Sequence, residues 1–448
     1  MSTAGTAKGL IVAAPASGSG KTVVTLGLLR HLRNTGRRVA AAKVGPDYID
    51  PAFHAAASGG ACYNIDPWAM RPGTVAATIR RLNADADLVV CEGVMGLFDG
   101  ALSGEGSTAD LAAATGWPVI LVVNARAQAA SAAAVLRGFA THRADVTVAG
   151  VIFNRVGGAA HAAILRESCT AALPDIPVLG CIPRDERLIV PERHLGLVQA
   201  GEHPRLDSFL NDAATMISQH VAVGAMTKLA APWRDADQPA PMAESAIPPI
   251  GSRIAVARDN AFAFSYPAIL DGWRREAEIS FFSPLADEAP NPTADAVYLP
   301  GGYPELHAGR LAANRGFLDG LRAAAQRGAA VLGECGGYMV MGRGLIDSAG
   351  ECHAMAGLLD LESSFAKRRM NLGYRHVTLA ADGPLGQTGA GYRGHVFHYA
   401  SVVDEGRGQP LFRCQDARGR ELGLAGRVRG RVMGSFLHLI DSAGPRRS

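Results

Sequence analysis

The sequence carries almost no excess of charge of either sign: 44 lysines and arginines stand against 41 aspartates and glutamates, a net charge of +3 over 448 residues. A surface that holds nucleic acid or an anionic membrane needs a larger positive excess, so neither is an expected partner. Long apolar runs are also missing, and Met1 to Lys8 has no apolar signal core, so the chain is expected in the cytoplasm. The seven cysteines (62, 91, 169, 181, 335, 352 and 414) are odd in number and show no Cys-x-x-Cys spacing. That argues against a zinc site or a disulfide framework and leaves one or two thiols for chemistry. Repeats and low-complexity arrays are absent. What remains is an ordinary globular composition, 48% hydrophobic and 19% charged, long enough for two or three domains.

The first half alternates short apolar runs with helical stretches. The runs are Gly9–Pro15, Arg38–Val44, Asp87–Gly93, Pro118–Asn124, Val146–Asn154 and Pro177–Pro183. Continuous Val, Ile and Ala without polar alternation mark strands buried on both faces, so the spacing predicts a doubly wound parallel sheet. Ligands of such sheets sit at the carboxyl ends of the strands. Near Gly224 the composition turns to Ala, Pro and polar residues, predicting a domain over 1–224, a linker over 225–250 and a second α/β domain over 251–448. In that domain Arg253–Arg258, Glu278–Pro284, Ala296–Pro300 and Ala329–Glu334 read as strands.

The first run leads into Ala14-Pro15-Ala16-Ser17-Gly18-Ser19-Gly20-Lys21-Thr22 and then a helical pattern. Against the phosphate-loop template G-x-x-x-x-G-K-[ST], Gly20, Lys21 and Thr22 match and Pro15 replaces the first glycine. Small residues let backbone N–H groups of Ser17, Gly18 and Ser19 face phosphate, Lys21 meets the outer phosphates, and Thr22 offers a hydroxyl to Mg²⁺. A turn of this composition that binds nothing is the plain alternative, and the strand and helix on either side argue against it. Partition and nitrogenase ATPases carry a further lysine five positions before Lys21; Ala16 stands there, which points toward relatives of dethiobiotin synthetase. Lys43, Asp47 and Asp50 follow the second run, and Asp87–Gly93 presents Glu92 like a Walker-B acid, with Asp99 in the glycine-rich loop beyond. Several acids near one triphosphate favour a Mg²⁺-nucleotide over a simple pocket. The two aspartates after Lys43 also suit plain turn caps. Asn154, at the end of its strand, suits either a base edge or an ordinary loop.

In the second domain Gly333-Glu334-Cys335-Gly336-Gly337 places a cysteine on a sharp strand-to-helix turn, a nucleophile elbow with sulfur in place of oxygen. Its position at a helix amino terminus predicts a thiolate-favouring setting. His438, about a hundred residues on, is the expected base, and Gly301 and Gly302, after a strand, are expected to offer N–H groups to an oxyanion. His395 and His398 read as binding or structural.

These motifs, together with Lys43–Pro51, Cys91–Gly100 and Gly394–Tyr399, cover essentially the whole chain and resemble the a,c-diamide synthases of corrin biosynthesis. The resemblance implies a dethiobiotin-synthetase-like P-loop domain followed by a class I, triad-type glutamine amidotransferase domain. It implies that Cys335 releases ammonia from glutamine with His438 moving protons. ATP with Mg²⁺ then activates the c and next the a carboxylate of a corrinoid tetrapyrrole. Ser17 to Thr22, Lys43 and Asn154 would hold the nucleotide; Thr22, Asp47 and Glu92 the metal; Tyr48 and Ile49 the macrocycle; and Asp47 and Asp99 would stand at the reacting carboxylate. The family's triad has glutamate two residues after the histidine, but here that residue is Ile440, so the base lacks its usual acid or borrows one such as Asp441. Ala, Arg and Gly richness fits a GC-rich, aerobic-pathway genome, and hydrogenobyrinic acid is the expected substrate ahead of cobyrinic acid. Ni-sirohydrochlorin, or a P-loop switch ATPase with a degenerate amidotransferase domain, are the competing readings, and a homodimer is left open.

Overall fold

Continuous apolar runs with no polar alternation become central parallel strands. The computed structural model, which describes residues 7–444 apart from 85, 189–191, 194–195, 236–244 and 368, places them in one sheet. Strands β1 (Lys8–Ala13), β2 (Val39–Val44), β3 (Cys62–Ile65), β4 (Leu88–Glu92), β5 (Val119–Asn124), β6 (Val148–Val156) and β7 (Val178–Pro183) lie in the order β3-β2-β4-β1-β5-β6-β7, all parallel. The chain leaves β1 toward β2 on one side and later returns to β5 on the other. The carboxyl end of β1 is therefore a topological switch point, where such sheets bind ligands.

Two helices carry the residues after β1 and β2. Helix α1 (Lys21–Asn34) buries Val24, Leu26, Leu28, Leu29 and Leu32, a stripe at helical spacing. It packs so closely on helix Leu206–His220 that a Cβ on Gly27 would stand 2.5 Å from the Ala213 carbonyl oxygen. Arg30 fixes the same pair by donating to Asn211 at 2.9 Å and Asp207 at 2.8 Å. Helix α2 (Ile49–Ser58) ends at Gly59, whose φ of 83° is the left-handed C-cap that glycine adopts without strain.

Two compact units emerge, residues 1–68 with 75–242, and residues 69–74 with 243–448. The proline-rich stretch read as linker is partly ordered within the first unit. Val223–Leu229 is helical and Ala231–Pro232 pairs antiparallel with β1, because Met226 and Trp233 have apolar side chains to bury. Within that stretch 236–244 lie outside the described residues, and Ala246, Ile247 and Ile250 are buried in the second unit.

The second unit holds a ten-stranded mixed sheet. Its parallel half runs Glu278–Phe282, Arg253–Ala257, Ala296–Leu299, Ala330–Glu334, Val432–Ser435. Its antiparallel half continues Glu421–Arg429, Gln409–Asp416, Asn371–Leu379, Gly391–His398, Leu437–Ser442. A four-stranded sheet, Cys352–Ala354, Gly344–Ile346, Leu361–Ser364 and Ser401–Glu405, stands beside it in sequence. Among the described residues no helix is long and apolar enough to cross a membrane.

Replacing Gly27 by leucine forces the α1 contact apart and should lower stability by about 1–3 kcal/mol, as overpacking does. A urea titration reads this as a lower midpoint, and an unchanged midpoint would contradict the packing.

Candidate functional site

The phosphate loop takes its shape from two glycines in left-handed conformations, Gly18 at φ 75° and Gly20 at φ 87°. Any side chain at Gly20 would also strike Asn154, whose Nδ2 lies 2.0 Å from where a Cβ would stand. Asn154 uses that nitrogen to donate to the Ser19 carbonyl at 3.0 Å and accepts from the Arg155 N–H at 2.9 Å. It braces the loop through backbone groups. Ser19 closes the turn by donating to the Ala16 carbonyl at 2.8 Å. Lys21 and Thr22 open α1, and both face Glu92 at the end of β4: the Thr22 hydroxyl donates to Oε1 at 2.7 Å and the Lys21 ammonium lies 3.6 Å from it.

Register explains the next contact. β2 and β4 pair with Lys43 opposite Glu92, which sets the two side chains on the same face of the sheet. The Lys43 ammonium, only 2% exposed, lies 3.1 Å from Glu92 Oε1, 2.6 Å from Asp50 Oδ2 and 3.6 Å from Asp47 Oδ2. Behind Glu92, His54 Nε2 approaches Oε2 at 2.6 Å. Burial alone pulls the Lys43 ammonium down, but Asp50, Glu92 and Asp47 together hold it well above its ordinary value. Burial resists ionising Glu92, yet Lys43, His54 and Lys21 keep its carboxyl well below the usual range. Burial and the neighbouring Asp47 carboxylate push Asp50 up to about 6 against the pull of Lys43. The cluster is thus a set of fixed buried charges, with two carboxylates and the Thr22 hydroxyl offering the oxygen atoms that a hard divalent cation takes.

The flanking residues divide. Asp47 does both things its sequence allows: Oδ1 accepts from the Ile49 and Asp50 N–H groups at 2.9 and 3.2 Å and starts α2, while Oδ2 turns toward Lys43. Asn64 steadies the same turn by donating to the Gly45 and Asp47 carbonyls at 2.9 and 2.7 Å. Tyr48 precedes α2 as its N-cap. Ile49 is buried at the head of α2. Asp99 is exposed and accepts from Gly96 N at 2.9 Å within its own turn, outside the Lys43 cluster.

In the second unit Cys335 follows strand Ala330–Glu334 and begins the short helix Gly336–Met341. Its φ of 48° and ψ of −107° are a strained conformation for a residue with a Cβ, costing roughly 1–3 kcal/mol. The neighbours permit the turn by lacking side chains: a Cβ on Gly337 would stand 2.0 Å from the Leu299 oxygen, and one on Gly336 3.2 Å from Gly302 N. A Cβ on Gly301 would stand 2.3 Å from His438 Cε1 and 3.3 Å from Cys335 Cβ, so thiol, imidazole and the glycine pair meet in one place. The Cys335 N–H donates to the Ser435 carbonyl at 2.8 Å, and Sγ faces the Phe397 carbonyl at 3.9 Å. The expected thiolate-favouring setting is overturned. Burial pushes the Cys335 thiol strongly up, Glu305 adds to that, and the opposing Gly336 N–H is too little to reverse it.

His438 is fully buried, and desolvation followed by His395 and His398 holds its imidazole well below the ordinary value. His395 sits opposite it in register and stacks on it, ring centroids 4.9 Å apart at 14°, while its own Nε2 meets the Tyr266 hydroxyl at 2.9 Å. Asp441 is not the borrowed acid. Its carboxylate accepts from Arg71 N at 2.7 Å and Arg71 Nε at 3.1 Å. The carboxylate facing His438 is Glu334, with Oε2 4.0 Å from Nδ1. Sequence reading singled out His395 as binding or structural but missed Glu334 and His54 as members of these sites; only their place beside the motif residues, Glu334 next to the nucleophile and His54 four positions after Asp50, pointed to them.

Over residues 253–445 the chain matches the model of a CobB/CobQ-like glutamine amidotransferase domain, and over 10–198 that of a CobQ/CobB/MinD/ParA nucleotide binding domain. A hydrogenobyrinate a,c-diamide synthase of Brucella anthropi is 53% identical over 442 residues, spanning 98% of this chain and 100% of that protein. Its namesake from Rhizobium meliloti is 51% identical over 438 residues, spanning 97% and 99%. Another from Agrobacterium fabrum is 48% identical over 445 residues, spanning 98% and 100%. An amino-terminal P-loop domain and a carboxyl-terminal amidotransferase domain are therefore the fold class, as the motifs predict.

The elevated Cys335 thiol has a direct consequence, since Cys352 is exposed and Cys335 is not. Iodoacetamide at neutral pH should label Cys352 about tenfold faster or more, because the thiolate is the reacting form. Peptide mapping that finds Cys335 labelled first would contradict the buried, protonated thiol.

Proposed function

The chain belongs to the hydrogenobyrinate a,c-diamide synthase family and is an ATP-dependent, glutamine-using amidating ligase, and from that premise we propose that it amidates the c and then the a carboxylate of hydrogenobyrinic acid. The observation that carries the reading is the presence in one chain of two separate chemical centres. One is a buried thiol, imidazole and glycine-pair cluster; the other is a phosphate loop facing a buried Lys43–Glu92 pair.

At the first centre His438 takes the Cys335 proton as Sγ attacks the side-chain amide carbon of glutamine. N–H groups at Gly301 and Gly302 face the oxyanion. The C–N bond breaks, ammonia leaves with a proton returned by His438, and water hydrolyses the glutamyl thioester to glutamate. Burial holds the His438 imidazole low and the Cys335 thiol high, which disfavours the separated ion pair before substrate binds.

At the second centre the loop Ser17 to Thr22, braced by Asn154, holds the triphosphate of ATP, and Lys21 and Lys43 face its outer phosphates. Thr22, Asp47 and Glu92 fit Mg²⁺ by their oxygen donors, and the ion when bound would neutralise charge on the transferring phosphoryl group. Asp47, Tyr48 and Asp99 line the approach of the corrin carboxylate. The carboxylate oxygen attacks the γ-phosphorus and ADP leaves; ammonia then attacks the acyl carbon and phosphate leaves, giving the amide. Activation is needed because a carboxylate is a poor electrophile and oxide is not a leaving group.

Mass spectrometry of hydrogenobyrinic acid and of cobyrinic acid, each incubated with protein, ATP, Mg²⁺ and glutamine, counts the acid-to-amide conversions. Two conversions on hydrogenobyrinic acid, faster than on its cobalt counterpart, are expected. No conversion on either while ATP is hydrolysed would overturn the substrate assignment.

A further inference from the structure

Ile440 leaves the base without the acid that the family's triad places two residues after the histidine, and Ile440 is itself buried in the core. The strand that ends in the nucleophile supplies another carboxylate. Glu334 is 4% exposed, and both of its oxygens are committed: Oε1 accepts from the Leu439 N–H at 3.1 Å, and Oε2 accepts from the Tyr298 hydroxyl at 2.9 Å. Leu439 directly follows His438, so the Glu334 carboxylate anchors the backbone beside the base. From that anchored position Oε2 stands 4.0 Å from His438 Nδ1, within ion-pair range and longer than a hydrogen bond. His438 is confined on its other sides, by the stacked His395 ring and by Gly301, where any side chain would collide with it.

We propose that Glu334 is the positioning acid of the glutaminase centre, holding His438 through Leu439 and stabilising the imidazolium that forms when Cys335 attacks glutamine. The inference rests on the reading of Cys335 and His438 given above. A carboxylate from the strand before the nucleophile thus replaces one from the base's own strand. Proton transfer from Sγ to His438 creates a positive charge in a buried place, where a facing carboxylate is worth more than in water. Hydrogen bonds of this kind are commonly long before substrate arrives and tighten in the substrate complex.

The titratable groups facing Glu334 are Tyr298 from strand Ala296–Leu299 and His438 from strand Leu437–Ser442, with Cys335 next to it in its own chain; Tyr266 and His395 lie behind these. Desolvation raises Glu334 to about 7, and the Leu439 N–H and Tyr298 hydroxyl partly offset the rise. Stabilisation of the imidazolium needs the ionised carboxylate, so glutamine hydrolysis should climb as pH rises through about 7.

The test measures kcat and KM for glutamine hydrolysis from about pH 5.5 to 9 in the full chain. Glu334→Gln should lose about 100-fold in kcat, in the range of general acid–base contributions, keep KM, and lose the acid limb. Amidation supported by added ammonium should be unchanged. Tyr298→Phe removes a hydrogen bond to the ionised form, so it should keep the plateau rate and move the limb to higher pH. A limb that persists in Glu334→Gln, or stays in place in Tyr298→Phe, overturns the proposal. If Glu334→Gln does not fold, the Tyr298→Phe limb alone decides. Cys335→Ala distinguishes the underlying reading: if it still hydrolyses glutamine, the glutaminase assignment fails whatever the Glu334 variants do.

Discussion

Everything at the nucleotide end of the first unit depends on keeping one ammonium charged inside the protein. Lys43 is buried, and an unpaired buried ion would cost several kcal/mol. Three carboxylates repay that cost, and each comes from a different local device. Glu92 arrives by strand register from β4, Asp47 from the turn that starts α2, and Asp50 from the first turn of α2 itself. The same Glu92 then reaches the Thr22 hydroxyl and the Lys21 ammonium, so the phosphate loop and the second strand are joined through one carboxylate. Loss of one partner from such a cluster leaves a buried charge uncompensated, typically at about 3–5 kcal/mol. Charge placement and fold are therefore hard to separate here.

The amidotransferase centre follows a different rule, in which space and strain set the geometry. Cys335 is held at a positive φ by a hydrogen bond from its own N–H to Ser435 and by glycines that leave no room for side chains. The missing Cβ of Gly301 is what lets the imidazole of His438 approach the thiol. Burial then keeps both groups neutral at rest, the thiol raised and the imidazole lowered. A site of this kind holds a quiet nucleophile that becomes reactive when substrate lets the proton move.

Much of this could be read from the residues, and the failures have physical causes. Gly20, Lys21, Thr22, Glu92 and Cys335 stand in local patterns whose chemistry demands neighbours in sequence, so a single chain reveals them. The contacts of Asp441, His395 and Glu334 are made between segments far apart in sequence, and no local pattern encodes them. Asp441 looked available to His438 because it is three residues away, yet Arg71 from a distant segment takes its carboxylate. Ile49 reads as a substrate contact from its place in the motif, whereas its burial at the start of α2 is set by packing that no local pattern shows. The thiol was misread for a related reason. A helix amino terminus is visible in sequence, whereas the depth at which it is buried is not.

In the proposed reaction ammonia is made at Cys335 and used at the Lys21 and Glu92 centre. The most direct measurement compares amide formation on hydrogenobyrinic acid by Cys335→Ser with glutamine and with added ammonium as nitrogen source. The glutamine reaction should disappear while the ammonium reaction proceeds near the wild-type rate. Loss of both reactions in a folded Cys335→Ser protein, or survival of the glutamine reaction, would contradict it.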